Sequence, residues 1–416
     1  MLILRRLLIA GIAVLLVWRI GASGLAGHYA ERLAQGDNTA AAPALTWDSR
    51  QPEALYVQAV EVSASDPEAA LALLLRAYRQ NPAETRPLIA AARILLERGD
   101  EARADALVNA ATALRPADPR IQRHATGYWL ARGDLAKALP HASFALETNP
   151  DSRAQLFPFL LEVADEPATR LALRPFTQSP PVWWEEFFAE VARRALDVEA
   201  VRVLYALRSQ ASRAPVTEAE RKSYVARLIQ DGRIAEAYIA WLNGLDRSER
   251  GQLGLVHNGG FELEPRNWGF DWQLRSSPTA LIDRRRTHGS DGSLALNLRF
   301  ERHEARFANL HQMLFLDPAR YRLSGRVRTD SLETKGGLKW VVRCLQPEVA
   351  ELGESERFLG TNEWRDFSIA FEVTEPCTLQ EIRLVSAGSR RFEHEMTGSA
   401  WFDRIAIRRV PTTASQ

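Results

Sequence analysis

A period of 34 residues runs through the first half of this chain. It is marked by prolines, by two sets of alanines and by glycine–aspartate pairs. The matching positions are Pro82, Pro116 and Pro150; Ala70, Ala104 and Ala138; Ala77, Ala111 and Ala145; and Gly99-Asp100 with Gly133-Asp134. A unit of this length is a pair of short antiparallel helices that buries its apolar faces only by stacking on its neighbours. The period therefore predicts a stack of helix pairs, an architecture that offers a binding surface.

These positions resemble the tetratricopeptide repeat family. Bulky residues stand where that family has them, at Leu95 and Trp129 in first helices and at Leu74 and Val108 in second helices. The pattern weakens after the third unit and returns further along, so we expect an α-solenoid of such pairs over residues 52–250. The resemblance implies that this domain binds a protein partner.

The amino terminus has the character of a membrane-targeting segment. Arg5 and Arg6 precede an almost wholly apolar run that continues to Ala26. Twenty helical residues cover about 30 Å, the thickness of a bilayer core. Residues 1–27 are therefore predicted to be a transmembrane signal anchor and residues 28–51 a polar tether. The paired arginines favour a cytoplasmic amino end, which places the bulk of the chain in the periplasm, outside a bacterial inner membrane. The alternative is a cleaved signal peptide.

Charge and motif content exclude several classes of function. The 416 residues carry 53 basic and 52 acidic side chains, for a net charge of +1. With charges this nearly balanced, the chain as a whole has no positive electrostatic field that would attract nucleic acid. We therefore expect no nucleic-acid partner. The sequence has no nucleophile elbow, phosphate loop, dinucleotide fingerprint or zinc-protease motif, and we expect no enzymatic activity. A glycan-active enzyme stays open as an alternative, because its two carboxylates need not be close in sequence.

After residue 251 the pattern changes to the alternation of β-strands. We predict a C-terminal antiparallel β-sandwich of jelly-roll type over residues 255–412, and hence an α + β multidomain chain. In the strand that begins at Tyr321, apolar residues alternate with arginines, so one sheet face is basic. That face is either a solvated outer surface or a platform for an anionic ligand.

The two ends of this domain resemble the galactose-binding-like jelly rolls used as carbohydrate-binding modules. The opening motif is Asn258-Gly259-Gly260-Phe261-Glu262, and the closing motif is Trp401-Phe402-Asp403-Arg404-Ile405. In that family the matching carboxylates help to hold a structural calcium ion, so the resemblance implies a calcium site at Glu262 and Asp403. Two carboxylates alone cannot fill the six to eight oxygen positions of such a site.

Carbohydrate recognition needs aromatic rings exposed in a cleft. Trp268, Trp272 and Trp340 are the candidate stacking residues, and each of them also fits a position in the core. Trp364 and Trp401 are assigned to the core.

The only two cysteines, Cys344 and Cys377, both lie in the β domain. An isolated pair in an exported domain, with no histidine cluster beside it, favours a disulfide over a metal site.

These features together predict a non-enzymatic, membrane-anchored scaffold. The helical array would bind a protein and the β-sandwich would contact glycan. The layout resembles accessory proteins of bacterial exopolysaccharide or surface-polysaccharide assembly. The alternative is an envelope scaffold for protein contacts alone, with a degenerate sandwich that binds no sugar.

Overall fold

The computed structural model describes residues 2–304, 306–388 and 390–411, so residue 412 of the predicted sandwich domain lies outside it. The chain forms two compact units, Met1–Trp184 and Glu185–Gln416. The division falls inside the predicted 52–250 helical domain. The last helices of that domain belong to the same unit as the β-sandwich.

The first unit is helical. Its helices are α1 (Leu2–Ala34), α2 (Ala41–Trp47), α3 (Pro52–Val62), α4 (Pro67–Gln80), α5 (Arg86–Glu97), α6 (Glu101–Leu114), α7 (Pro119–Ala131), α8 (Leu135–Thr148), α9 (Arg153–Asp165), α10 (Pro167–Arg170) and α11 (Arg174–Gln178). The pairs α3–α4, α5–α6 and α7–α8 are the three predicted repeats.

Aspartates at the 34-residue step begin the second helix of each pair. The side chains of Asp66, Asp100 and Asp134 each accept a hydrogen bond from the backbone N–H three residues on, at 3.0, 3.3 and 3.0 Å. Such a cap satisfies an amide that the helix itself leaves unpaired. Gly99 and Gly133 precede two of these caps with φ of +80° and +75°, a conformation that favours glycine. The glycine–aspartate pairs therefore end one helix and start the next.

The repeated alanines form the contact between paired helices. All six are at most 1% exposed: Ala70, Ala77, Ala104, Ala111, Ala138 and Ala145. Trp129 is fully buried in the same core as Val108. The spacing of small residues thus predicted the helix contacts correctly.

Helix α1 continues beyond the predicted anchor to Ala34. Its segment Ile9–Ala34 is long and apolar enough to cross a membrane or to act as a signal sequence. The prediction of a polar tether over residues 28–51 is wrong, because this segment forms the end of α1 and helix α2 and packs on α3. The buried residues of this contact are Leu33, Ala40, Ala41, Ala44, Ala54 and Val57.

The second unit begins with helices and ends with ten strands. The helices are α12 (Trp184–Arg194), α13 (Val198–Ser209), α14 (Glu218–Gln230), α15 (Ile234–Leu242) and α16 (Arg247–Arg250). The strands are β1 (Gln273–Leu274), β2 (Ala280–Arg285), β3 (Ala295–Glu304), β4 (Leu310–Leu314), β5 (Ala319–Thr334), β6 (Leu338–Gln346), β7 (Ala350–Glu354), β8 (Gly360–Val373), β9 (Leu379–Ser386) and β10 (Glu395–Arg409).

The strands form two five-stranded sheets, in the orders β1-β4-β9-β6-β7 and β2-β3-β10-β5-β8. Every pairing within them is antiparallel. Most consecutive strands lie in opposite sheets, which is the connectivity of a jelly roll. Apolar residues from both inner faces build one core, including Leu323, Trp340 and Phe402. The predicted fold class is confirmed.

The last helices and the sandwich share buried side chains. Trp241 of α15 is 1% exposed, and its ring centroid lies 5.2 Å from that of His257 and 5.8 Å from that of Phe270. Gly269 makes this approach possible: its φ is +64°, and a Cβ there would lie 2.7 Å from Cδ1 of Trp241. Helix α15 is therefore part of the structural support of the sandwich.

We expect Trp241→Ala to destabilise the second unit by about 3–5 kcal/mol, because it leaves a cavity between α15 and the start of the sandwich. Urea denaturation followed by circular dichroism measures the change. Ile239→Ala is the matched control: it lies on the same helix but is 57% exposed, so its effect should be small. Equal losses in the two variants would contradict the shared core.

Candidate functional site

The three tryptophans predicted to stack on sugar lie in the interior. Trp272 and Trp340 are fully buried, and Trp268 is 5% exposed. The indole N–H of Trp268 donates to Glu218 Oε1 at 2.8 Å, and that of Trp272 donates to the carbonyl of Asn258 at 3.0 Å. A ring that no ligand can reach cannot serve as a stacking surface, so the stacking assignment of these residues is corrected to a structural one.

The assignment of Trp364 and Trp401 to the core is wrong in the opposite sense. Both are partly exposed, on the outer face of the sheet β2-β3-β10-β5-β8. Strand alternation explains their position: Phe402 and Phe367 point into the core, so a tryptophan on the other side of each strand faces outward.

Two arginines of β5 interleave with these rings. The guanidinium carbon of Arg326 lies 5.2 Å from the ring centroid of Trp364, and that of Arg328 lies 5.7 Å from Trp364 and 4.8 Å from Trp401. At these separations the cation is attracted to the aromatic face. We call these four residues the Arg–Trp ladder.

The ladder continues into a row of polar residues across the sheet. Trp401 on β10 is the register partner of both Arg328 on β5 and Asn297 on β3, and Asn297 is in turn the partner of Asp283 on β2. Asn297 is 1% exposed, and its Nδ2 has no hydrogen-bond partner in the described structure; neither has Oδ1 of Asp283. Buried polar atoms are rarely left unpaired. Both atoms are buried, so they mark an unpaired polar position beside the partly exposed Trp401 and are not themselves within reach of a ligand.

The same face is basic, as the alternation in the sequence predicted. Arg322 of β5 and Arg408 of β10 lie directly opposite each other in register. A shallow cavity of about 580 Å³ opens beside the ladder, and its lining includes Arg322, Arg326 and Arg404 together with the carboxylate of Asp366.

The predicted calcium ligands Glu262 and Asp403 reach the same loop from the two ends of the domain. The opening motif fits against β10 because Gly259 has no side chain: a Cβ there would lie 1.8 Å from the carbonyl oxygen of Ile405. Glu262 Oε1 accepts the backbone N–H of Ser293 at 2.8 Å and that of Leu294 at 3.0 Å.

Asp403 also bonds to backbone amides. Its Oδ2 accepts the N–H of Asp291 at 2.6 Å and its Oδ1 that of Arg404 at 2.7 Å. Burial raises the pKa of this carboxyl group, and the nearby carboxylate of Asp291 adds to the effect. Three of the four carboxylate oxygens of Glu262 and Asp403 thus accept hydrogen bonds from N–H groups. The partial positive charge on these hydrogens would repel a cation. No group of three or more candidate metal ligands occurs among the described residues. This donor set does not fit a calcium ion.

We therefore expect the melting temperature of the chain to be the same in millimolar calcium and in excess EDTA. Backbone N–H groups already stabilise these carboxylate oxygens, so binding of a cation would add no stability to the fold. Differential scanning calorimetry provides the measurement, and magnesium serves as the control for ionic strength. A calcium-specific rise that Asp403→Asn abolishes would contradict this expectation and restore the calcium site.

The predicted disulfide is confirmed. Cys344 on β6 is bonded to Cys377, which lies just before β9, with Cα atoms 5.8 Å apart. No free cysteine remains in the chain. The bond joins neighbouring segments of one sheet and lies on the opposite sheet from the ladder.

A second candidate surface lies in the repeats of the first unit. A cavity of about 310 Å³ is lined mainly by the first helices of the three pairs, with Tyr56 on α3, Arg86 and Arg93 on α5, and His124 on α7. Arg86 lies over the ring of Tyr56 at 4.9 Å and pairs with Glu53 at 2.6 Å. Arg93 is exposed and has no carboxylate partner among the described side chains. Sequence reasoning did not identify this groove, because its residues differ from one repeat to the next.

His124 carries a pH-sensitive part of the stability of this groove. Burial, reinforced by the charges of Arg93, Arg123 and Arg86, lowers its pKa from 6.5 to about 4, and Glu84 opposes the shift. An unfolded chain takes up the proton near pH 6.5, whereas the folded chain takes it up only near pH 4. The stabilisation is therefore complete above pH 6.5 and lost as the pH falls toward 4.

We expect acidification from pH 7.5 to pH 4 to cost the wild type up to about 3 kcal/mol more than His124→Gln in free energy of unfolding. Urea denaturation at each pH measures the difference. The glutamine variant is its own matched control, because every other titrating group is retained. A constant difference between the two proteins across this range would contradict the depressed pKa.

The capped helix pairs and buried alanines of the first unit agree with a sequence family. Residues 61–124 match the tetratricopeptide repeat family. The matched tetratricopeptide segment runs from the end of α3 into α7 and includes the whole α5–α6 pair. No curated protein matches the chain in sequence.

Solved structures are similar to parts of the chain. A CBM4 structure is 13% identical, covers 37% of this chain and 99% of its own, and has a TM-score of 0.28. TmCBM61 in complex with β-1,4-galactotriose is 15% identical, with coverage of 38% and 99% and a TM-score of 0.26. The pilF protein of Pseudomonas aeruginosa is 15% identical, with coverage of 54% and 91% and a TM-score of 0.28.

Proposed function

We propose that this chain is a non-enzymatic scaffold, anchored in the bacterial inner membrane, with its bulk in the periplasm. Its tetratricopeptide repeats bind a protein partner and its β-sandwich contacts glycan, in the assembly of a surface polysaccharide or exopolysaccharide. The observation that carries the proposal is the Arg–Trp ladder, a partly exposed surface of aromatic rings and hydrogen-bond donors on the outer sheet face of the sandwich.

The first unit supports the roles of anchor and scaffold. Helix α1 has the length and apolarity of a membrane span, and Arg5 stands near its amino end. Positive charge on that side favours its retention in the cytoplasm, so the rest of the chain lies on the other side of the membrane. The groove that contains Tyr56 and Arg93 is open and combines apolar with charged groups, which suits a peptide segment of another protein.

The sandwich supports the glycan contact. Trp364 and Trp401 lie partly exposed on the outer face beside Arg326 and Arg328, and sugars are bound by surfaces that combine aromatic rings with hydrogen-bond donors.

A second candidate function is an envelope scaffold for protein contacts alone. The observation in its favour is the burial of Trp268, Trp272 and Trp340, the three rings that the sequence offered for stacking. In that case the sandwich supports α12–α16 and binds no sugar.

A glycan array followed by calorimetry on the full chain in detergent separates the two candidates. We expect binding to at least one polysaccharide, and we expect Trp401→Ala to weaken it by about tenfold or more, since loss of 1.4 kcal/mol is tenfold in affinity. The matched control is Trp47→Ala, a tryptophan of the first unit that is 41% exposed. Binding to no polysaccharide would favour the second candidate.

A reporter fused to the carboxyl terminus tests the location. We expect activity from a reporter that folds only outside the cytoplasm. Activity from a reporter confined to the cytoplasm would contradict the periplasmic assignment.

A further inference from the structure

We propose that the glycan bound by the ladder face is an acidic polysaccharide rich in uronic acids, and that its carboxylates bind to the arginines of β5 and β10. This inference rests on the proposed function and specifies the chemical class of its ligand. The notable feature is that two arginines of this face, Arg326 and Arg328, contact aromatic rings and have no acidic partner among the described side chains.

The first step concerns the rings. Arg328 lies within 5.7 Å of the centroid of Trp364 and 4.8 Å of that of Trp401, and Arg326 lies over Trp364 as well. Guanidinium groups thus occupy aromatic surface that a neutral sugar would need for stacking. When the face of a guanidinium contacts a ring, its N–H donors still lie around the edge of the guanidinium plane. Donors in this arrangement can form paired hydrogen bonds to a carboxylate.

The second step concerns unbalanced charge. Arg322, Arg328 and Arg408 have no carboxylate partner among the described side chains, and Arg326 donates to the carbonyl of Gly289 at 2.8 Å. Arg322 and Arg408 stand directly opposite each other on neighbouring strands. Like charges in this position are destabilising, and an anion bound between them would remove the cost.

The acidic residues of the cavity do not cancel this charge. Glu356 pairs with Arg365 at 2.5 Å, so it is already neutralised. Asp366 alone then faces Arg322 and Arg326 in the cavity. Arg404 has only a loose contact with Asp291, at 3.6 Å, with both side chains about 60% exposed.

The third step concerns the shape of the charged surface. Arg322, Arg326 and Arg328 follow one strand, over about 20 Å from the first to the last at roughly 3.4 Å per residue. A strip of this length suits a polymer that carries repeated charges better than a single small anion.

The surroundings of the strip favour polysaccharide over a lipid surface. The large aliphatic side chains exposed on this sheet, Leu281, Leu359 and Val410, lie on its edge strand β2 or just beyond the ends of β8 and β10, and none of them lies along the strip. Proteins that lie on anionic membranes insert such side chains beside their basic residues. The ladder tryptophans lie against guanidinium groups, so they are not free to insert.

The test uses the full chain in detergent with immobilised polygalacturonate, dextran and dextran sulfate. We expect binding to polygalacturonate that weakens with added salt, and none to dextran. Arg328→Gln and Arg322→Gln should each reduce the affinity by roughly tenfold or more, as expected for loss of a hydrogen bond to a charged group. Arg328→Lys should recover only part of it, because an ammonium lacks the planar fork. Arg79→Gln, an exposed arginine of α4, is the matched control.

Each remaining outcome has a defined meaning. Binding of neutral glycans alone, with no loss in either glutamine variant, would overturn this inference and leave the proposed function standing. Binding of no glycan would overturn both. Equal binding of dextran sulfate and polygalacturonate would overturn the uronate assignment in favour of non-specific charge attraction. Arg328-dependent binding to phosphatidylglycerol vesicles, with none to polygalacturonate, would assign the face to the membrane. If Arg328→Gln fails to fold, Arg322→Gln decides, because it contacts neither ladder ring.

Discussion

Side-chain alternation along β10 is the constraint on which the inner and outer faces of its sheet both depend. Ala400 and Phe402 enter the core, so Trp401 between them must face outward. The same rule on β5 buries Leu323 and Val327 and leaves the arginines outside. Core packing and the basic, aromatic character of the outer face are therefore set together by a period of two residues, and a shift of the register by one residue would exchange the two faces.

The sequence was most informative where a period repeats. Alanines at a 34-residue step predicted the contacts of the helix pairs, and the two cysteines predicted the disulfide, because both patterns report local or pairwise geometry. The roles of individual tryptophans could not be predicted in this way. Trp340 and Trp364 occupy similar alternating segments, and only the pairing of strands decides which of them faces solvent. The calcium expectation came from two matching carboxylates, while the N–H groups that meet Glu262 and Asp403 come from the backbone, which composition does not reveal.

The polar tether was mispredicted for a related reason. Residues 28–51 contain many alanines, which carry little hydrophobic signal individually. In the structure they fit between helices because they are small, and Ala40, Ala41 and Ala44 are buried. Size complementarity, which hydropathy does not measure, decides whether such a segment packs. Leu33, near the end of α1, is buried in the same cluster, and α1 accordingly extends to Ala34.

Trp241 determines which part of this chain behaves as a module. A recombination event that cut the gene at the predicted boundary near residue 250 would leave the indole without its pocket on one product and Phe270 uncovered on the other. The segment that must stay intact is consequently the one from residue 185 onward, in which helices and the β-sandwich form one compact unit. Substitutions on the outer face of the sheet can then accumulate without disturbing the packing of Trp241.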